Sequence, residues 1–262
     1  MPNNLIKYWS FFKISFKNSL ANRGVAAGTV FLLLILLFAY NRLWSVVGAE
    51  TAQSGLHENF IWYLLMGELI ILSTGRYERV IAEDIRCGTM AYYINKPVSF
   101  FAMRYMESLG ATTALFLILT ACGSLWVYGF APQVPFSWLH FPVILLMVYL
   151  SSAINVLLCI TLGYITLWVS DLRTLAMVMG RMAFIFGGAL FPLTIYPDWF
   201  VRLAQWTPFY SIYYQTISLV YDFSWPHLLN TLALNILWTL IIGTLVAFAY
   251  RKLKYKVNVY GG

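Results

Sequence analysis

The chain has 262 residues, of which 61% are hydrophobic and only 10% are charged. A soluble domain is nearer a quarter charged, so this chain has too few charges to cover a water-soluble globule, and its apolar content also excludes a disordered protein. The formal net charge of +7 does not indicate a nucleic-acid-binding protein, because the basic residues fall at the ends of long apolar runs rather than on one exposed face. The composition predicts an integral membrane protein, and its long apolar runs make the predicted fold class all-α.

The N-terminal residues 4–22 are predicted to form an amphipathic helix that lies in the membrane interface. Its apolar stripe repeats at helical spacing, and Lys7 and Lys17 face away from it. The stripe consists of Leu5, Trp9, Phe12, Phe16 and Leu20. Two interpretations stay open: a simple anchor that orients the next helix, or an elbow helix that turns the chain into the membrane and transmits movement.

Six apolar runs are long enough to cross a bilayer, which takes about 20 residues. Residues 108–170 contain no Asp, Glu, Lys or Arg, and Pro132 and Pro135 interrupt this stretch, so it is predicted to be a helical hairpin with its tip at 131–137. The six predicted spans are 24–41, 59–75, 106–130, 138–169, 174–196 and 227–250, within one transmembrane domain.

The distribution of positive charge predicts the orientation of these spans. Fourteen of the 17 Lys and Arg residues precede the first span, follow the last one, or lie in the two loops that share that side. Arg42 and Arg202 are the exceptions in the opposite loops, and Arg181 lies within a span. By the positive-inside rule, both termini are expected in the cytoplasm.

Residues 76–100 form the main predicted cytoplasmic loop. Arg79, Glu83 and Arg86 have the spacing of ion pairs on a short helix, and Gly88 is a natural helix end. Val80, Ile81 and Ile85 give this predicted helix an apolar side. Several apolar residues lie among the charges: Ile81, Ile85, Met90, Tyr92, Tyr93 and Ile94. A solvated loop is one interpretation, but the mixture is better explained by docking against a protein or the membrane interface.

Residues 197–226, on the predicted outer side, are too apolar for a free loop and too interrupted for a span. Pro197, Pro208 and Pro226 divide the segment into short pieces that contain aromatic residues such as Trp199 and Phe209. We expect short re-entrant or surface helices here.

Four charged residues fall within or next to the predicted spans. Glu68 lies in the second span and Arg181 in the fifth, whereas Arg104 and Glu107 are spaced to pair locally near the third. An intramembrane charge costs about 3 kcal/mol and normally faces a partner or a wet cavity. Glu68 and Arg181 are therefore expected either to form a structural ion pair, within one chain or between two, or to line a substrate path.

The sequence shows no pattern of a catalytic or metal site. It has no phosphate-binding glycine loop, no nucleophile elbow and no zinc-protease motif. Its three cysteines and three histidines are dispersed, so neither a metal nor a disulfide is expected. If ATP drives this protein, another polypeptide must bind the nucleotide.

Two stretches carry a resemblance to a known family. Ile85-Arg-Cys-Gly-Thr-Met-Ala-Tyr-Tyr-Ile-Asn-Lys-Pro-Val98 resembles the loop between spans two and three in the membrane subunits of type-2 ABC exporters, with Lys96 where arginine is commoner. The run from Gly187 to Trp199, followed by Thr207-Pro208-Phe209, is similar to the family's segment after span five. The likeness covers nearly the whole chain and is closest to small bacterial permeases of similar length.

The resemblance implies a permease of the bacterial inner membrane that works as a homo- or heterodimer with two ATP-binding subunits. ATP and Mg²⁺ would bind those subunits, and no cofactor would bind this chain. The implied ATPase-coupling residues are Arg79, Glu83, Asp84, Arg86, Gly88, Thr89, Tyr92 and Pro97. The outer re-entrant gate would comprise Pro192, Pro197, Trp199, Pro208 and Phe209.

The leading functional hypothesis is export of an amphiphilic, lipid-like or drug-like molecule, with the outward direction implied by the resemblance. A polysaccharide or teichoic-acid exporter shares the six-span plan and is the alternative. A more distant alternative is an ATP-independent secondary transporter, which would need ion sites at broken helices near the midplane.

Overall fold

The computed structural model describes residues 2–51, 54–94, 96, 98–130, 134–165, 172–189 and 191–260. These residues form helices and, in the described ranges, no strands. The helices are α1 (Pro2–Ala21), α2 (Arg23–Thr51), α3 (Ser54–Ser73), α4 (Tyr77–Arg86), α5 (Thr89–Ile94), α6 (Phe100–Phe130), α7 (Phe141–Ile165), α8 (Leu172–Phe186), α9 (Asp198–Ala204), α10 (Thr216–Ser218) and α11 (Trp225–Tyr260). A 3₁₀ turn spans Leu193–Ile195, and a π-helical turn spans Tyr210–Gln215.

Four of these helices contain a stretch long and apolar enough to cross a membrane: Arg23–Leu43, Phe100–Phe130, Phe141–Ile165 and Trp225–Phe248. Their outer surfaces expose large apolar side chains, among them Phe31, Leu125 and Leu240. Such a surface suits lipid rather than water, and together with the composition it indicates a membrane protein.

Helix α3 is the centre of the bundle. Its residues from Phe60 to Ile70 are all buried, and it contacts α2, α6, α7 and α10. A helix that is apolar on nearly every side lies either in a protein core or in a membrane. Helix α3 is in the core, because α2, α6, α7 and α10 surround it.

The predicted fifth span, 174–196, is not one helix. Helix α8 ends at Phe186, and Gly188 has a φ of 59°, a conformation that favours glycine. Gly187 is tightly enclosed, because a Cβ there would lie 2.3 Å from the carbonyl oxygen of Ala183. The hydroxyl of Tyr63 donates to the carbonyl oxygen of Gly188 at 2.5 Å, so the break is held from α3.

The segment after this break has an outer part and an inner part. The short helix α9 exposes Trp199 and Leu203, whereas the π-helical turn and α10 are packed inside the bundle with Ile212 and Ile217 fully buried. Between α8 and α11 the described chain therefore has an exposed short helix, as expected, and a short helical segment that is buried in the bundle.

A buried polar network ties the inner part to two long helices. Asn235 of α11 donates to Ser151 of α7 at 3.1 Å and accepts from Ser211 at 2.6 Å. The hydroxyls of Ser151 and Thr216 share a hydrogen bond of 2.8 Å. In an apolar bundle, where packing alone gives little selectivity, such a network fixes which helices are neighbours.

Helix α1 does not lie apart from the bundle but runs along the first part of α6. The amide of Ser99, just before α6, donates to the hydroxyl of Tyr8 at 2.9 Å, and Ser19 reaches the carbonyl oxygen of Ala111 at 3.5 Å. The packed face is rotated from the predicted stripe, because Trp9 and Leu20 remain about half exposed while Tyr8 packs against the core. The side chain of Leu5 lies outside the described residues.

Candidate functional site

Helix α4 has one buried face and one charged face. Glu78, Ile81, Ala82 and Asp84 are buried. Arg79, Val80, Glu83 and Arg86 are exposed at the end of the bundle. The predicted apolar side was partly wrong, since Val80 is on the exposed face. The arrangement leaves a short charged surface on a helix that is otherwise committed to the bundle.

The first half of α4 is fixed by close packing and by a tyrosine. A Cβ at Gly163 of α7 would lie only 2.6 Å from the Cβ of Ile81, so α4 and α7 approach closely because that position is glycine. The hydroxyl of Tyr77 lies 3.0 Å from the carbonyl oxygen of Ser108, to which it donates, and 3.1 Å from the hydroxyl of Thr112. This hydroxyl therefore connects the start of α4 to α6.

The second half of α4 is held by charge. Arg104 of α6 donates to Asp84 Oδ1 and to Glu107 Oε2, each at 2.7 Å. The local pair of Arg104 with Glu107 is present as expected from its spacing. The assignment of Asp84 to an ATPase-facing surface was wrong, because its carboxylate is directed into the bundle by Arg104 and is largely buried.

Helix α4 ends in a glycine cap. The Gly88 amide donates to the carbonyl oxygen of Ile85 at 3.3 Å, and Gly88 has a φ of 73°, as expected for a helix stop. Glu83 Oε1 accepts a hydrogen bond from Cys87 Sγ at 3.1 Å in place of an ion pair with Arg79. This hydrogen bond to the carboxylate raises the pKa of the Cys87 thiol.

Most apolar residues of the 76–100 segment pack into the chain's own core. Ile81 and Met90 are almost fully buried, and Ile85 and Tyr93 pack against the same core. The expectation that these residues dock onto another surface was therefore wrong for all four. The reason is that the segment folds back beneath α6 and α7, whose own apolar surface covers them.

Of the two predicted coupling residues after Gly88 that the structure describes, Tyr92 is exposed and Thr89 is not. Tyr92 is 63% exposed, and the ammonium of Lys96 lies 3.7 Å from the centre of its ring. Thr89 is half-buried at the start of α5. Pro97 and the side chain of Ile94 lie outside the described residues.

A cavity of about 530 Å³ adjoins the charged face of α4. It lies between α4 and α8, and its charged lining residues are Arg79, Glu83, Arg86 and Arg173. Such a set of guanidinium groups can bind carboxylates of a docked protein, often through two parallel hydrogen bonds. The charged face of α4 and this cavity together are the candidate docking site.

Glu78 is a buried acidic residue of α4 that the sequence analysis did not single out. Its carboxyl is buried, and burial raises its pKa above the ordinary value. A hydrogen bond with its own backbone, the charges of Arg79 and Arg76, and a hydrogen bond with the Cys159 thiol partly offset this rise in pKa. The helical spacing of Glu78 with Ile81, Ala82 and Ile85 places it on the buried side, so periodicity contained the signal.

Glu68 and Arg181 do not pair with each other within the chain. Glu68 is buried in α3, whereas Arg181 is exposed on α8 with its Nη2 3.7 Å from Met177 Sδ. The intrachain ion pair was therefore wrong, because Glu68 is enclosed within the bundle and Arg181 lies on its exposed surface.

The predicted outer-gate residues fall into two groups. Pro197 and Trp199 are exposed at the start of α9, whereas Pro192, Pro208 and Phe209 are half-buried. Phe209 also packs against the central core. The structure places Pro208 and Phe209 directly before the buried π-helical turn and leaves Trp199 exposed on α9.

Among the described residues, no three His, Cys, Asp or Glu side chains are grouped so that they could hold a metal ion. No protein-family model matches the sequence, and no curated protein is similar to it.

Proposed function

We propose that the chain is the transmembrane permease subunit of an ATP-binding cassette exporter, which couples ATP hydrolysis on a separate subunit to outward movement of an amphiphilic molecule. The observation that carries the proposal is the arrangement of α4. Its inner face is bonded to α6 and α7, and its outer face presents Arg79, Glu83 and Arg86 at the end of the bundle. A helix that is held to the bundle on one face and exposed on the other can transmit a displacement from a docked protein to the bundle.

Six membrane crossings fit the proposal, with both termini in the cytoplasm of a bacterium and the chain in its inner membrane. The four candidate spans would be joined by α3 and α8. Helix α3 has 20 residues, enough to span, and it lies buried against α2, α6 and α7. Helix α8 has 15 residues and would reach the outer side together with the segment that follows it.

The proposed partners are two ATP-binding subunits, which would hold ATP and Mg²⁺, and a second permease chain, identical or related. Movement of α4 would be transmitted through rigid contacts. Because Tyr77 and Asp84 fix its two halves to α6, and Ile81 fits against Gly163, α4 can move little without α6 and α7. The ATPase would then change the packing of the spanning helices without touching them.

The test is co-expression of the chain with a cassette ATPase encoded beside its gene, followed by affinity purification in detergent. The variant Arg79→Glu combined with Glu83→Arg should reduce the co-purified ATPase by at least about tenfold, since reversing charges at a docked face weakens binding by more than about 1.4 kcal/mol. Arg202→Glu, an exposed charge change on α9, is the matched control and should leave the complex intact. Equal recovery of ATPase with both variants would contradict the proposal.

A further inference from the structure

A second cavity, of about 620 Å³, opens between α2 and α8. Helix α7 forms one wall with Asn155, Cys159 and Leu162, which are spaced on a single helical face. Helix α8 forms the opposite wall, and Thr29 and Leu32 of α2 border the cleft. We call this cavity the α2–α8 cleft. Its volume is that of a typical small-molecule site.

One end of the α2–α8 cleft is positively charged. Arg76, Arg79 and Arg173 line it there, with Glu78 as the acidic lining residue. The carboxyl of Glu78 is turned towards Cys159 in the α4–α7 contact. The net charge at this end therefore favours an anionic group.

The rest of the cleft is mainly apolar and elongated. Along α8 the lining runs from Arg173 through Met177 and Gly180 to Phe184, about 16 Å at the rise of an α-helix. Phe209, just before the π-helical turn, is a further aromatic lining residue. The exposed Arg181 is not among the lining residues, so the α8 wall beyond Arg173 carries no charge.

We propose that the α2–α8 cleft binds a single-chain anionic amphiphile, with its headgroup at Arg76 and Arg79 and its alkyl chain extended towards Phe184 and Phe209. The inference rests on the proposed function, for which it names the substrate class. The guanidinium groups would repel a cationic amphiphile. A glycan would have no series of exposed rings along the α8 wall on which to stack.

Gly180 provides a sharp way to block the cleft. It lines the cavity, and a Cβ there would meet nothing within 4 Å, so a side chain added at this position starts in open space at the cleft. Gly243 of α11 has equally open surroundings but does not line the cleft. Gly180→Trp and Gly243→Trp are therefore a matched pair of test and control.

The experiment uses the purified full-length chain in dodecyl maltoside and, as probe, a dodecyl phosphate whose chain ends in a photoactivatable diazirine. Labelling should map to the Met177–Phe184 stretch of α8 and compete with unlabelled dodecyl phosphate. Gly180→Trp should reduce it at least about tenfold, while Gly243→Trp leaves it unchanged. Arg76→Gln with Arg79→Gln should weaken labelling by a similar factor, with recovery in the double lysine variant.

Three results would overturn the proposal. They are labelling that survives Gly180→Trp, equal competition by dodecyltrimethylammonium, and equal competition by two-chain phosphatidylglycerol, which would make the cleft an ordinary lipid groove. Because probe binding is measured without an ATPase, a failure of the cleft proposal can be told apart from a failure of the exporter proposal. Labelling as expected with no ATPase complex would contradict only the exporter proposal, and an ATPase complex without labelling would contradict only the cleft.

Discussion

At the level of single residues, Arg104 is the principal electrostatic link between the charged helix α4 and the bundle. It bonds Asp84 across helices and Glu107 within its own helix, at the same distance of 2.7 Å. The two bonds differ in environment, because the Asp84 side chain is 12% exposed and that of Glu107 is 29% exposed. Although the two bonds have the same length, the pair with the more buried Asp84 and the pair with Glu107 are therefore expected to contribute differently to stability.

Removing Arg104 should cost far more stability than removing Glu107. Arg104→Gln leaves Asp84 largely buried without its cation and should lower the free energy of unfolding by about 3 kcal/mol, whereas Glu107→Gln loses an i,i+3 pair of about 0.5 kcal/mol. Denaturant titration in mixed micelles measures both values. Adding Asp84→Asn to Arg104→Gln should cost less than the sum of the single changes. An additive result would show that the pair does not join the helices.

Residues of α4 show what a sequence can and cannot predict about the site. Its helical spacing, its glycine stop at Gly88 and the exposure of Arg79 and Glu83 follow from local pattern. The assignment of Asp84 failed because its partner, Arg104, lies 20 residues away on another helix. Periodicity divides a helix into faces, but only the tertiary structure determines which charges on a face are already neutralised.

At the level of elements, the contact of α1 with α6 depends on one missing side chain. A Cβ at Gly110 would lie 2.3 Å from the carbonyl oxygen of Phe12 and 3.1 Å from the amide nitrogen of Phe16, and both neighbours are backbone atoms. Backbone cannot rotate away as the end of a side chain can. Helix α1 would have to shift as a whole to admit even one methyl group.

Gly110→Ala should therefore loosen α1 from the bundle and reduce the free energy of unfolding by about 1–3 kcal/mol, the cost of overpacking. Gly129→Ala in the same helix is the control, because its surroundings are open and alanine favours a helix by up to about 1 kcal/mol over glycine. Amide hydrogen exchange should show faster exchange across α1 in the first variant alone. Unchanged protection of α1 in Gly110→Ala would refute the close approach.

The elements that the sequence predicted least well are those whose ends are set by distant residues. The uncharged ends of α6 and α7 were located to within several residues by the lack of charge between 108 and 170. The end of α8 at Phe186 was not predicted, because the apolar run in the sequence continues through Gly187 and Gly188. There the side chain of Tyr213 packs against Gly187, and the hydroxyl of Tyr63 donates to the carbonyl oxygen of Gly188. Both tyrosines belong to other elements.

At the level of the whole molecule, the number of crossings determines on which side of the membrane α4 lies. If α2, α6, α7 and α11 alone crossed, α4 and the start of α8 would lie opposite the N-terminus. If α3 and α8 also cross, then α4, the start of α8 and the N-terminus lie on the same side of the membrane. The two topologies therefore make opposite predictions for the same residues.

Single-cysteine labelling separates them, starting from a chain in which Cys87, Cys122 and Cys159 are replaced by serine. In the six-crossing topology, cysteines at Asn18, Glu83 and Thr174 react with an impermeant maleimide only in inside-out vesicles, because all three face the cytoplasm. A cysteine at Gln205, exposed beyond α9, reacts only in right-side-out vesicles and is the control for vesicle sealing. Reaction at Glu83 on the same side as Gln205 would contradict the topology.

The pairing of α1 with α6 also has a consequence for synthesis. The hydrogen bond between Tyr8 and Ser99 joins residues that are 91 positions apart, with α2 and α3 encoded between them. When α1 leaves the ribosome, the surface that will receive it does not yet exist. Its exposed Trp9 and Ile14 and its lysines at 13 and 17 suit a temporary position among lipid headgroups. The first segment to be translated thus completes its docking only after the third long helix has inserted, which makes the N-terminus one of the later parts of the bundle to assemble.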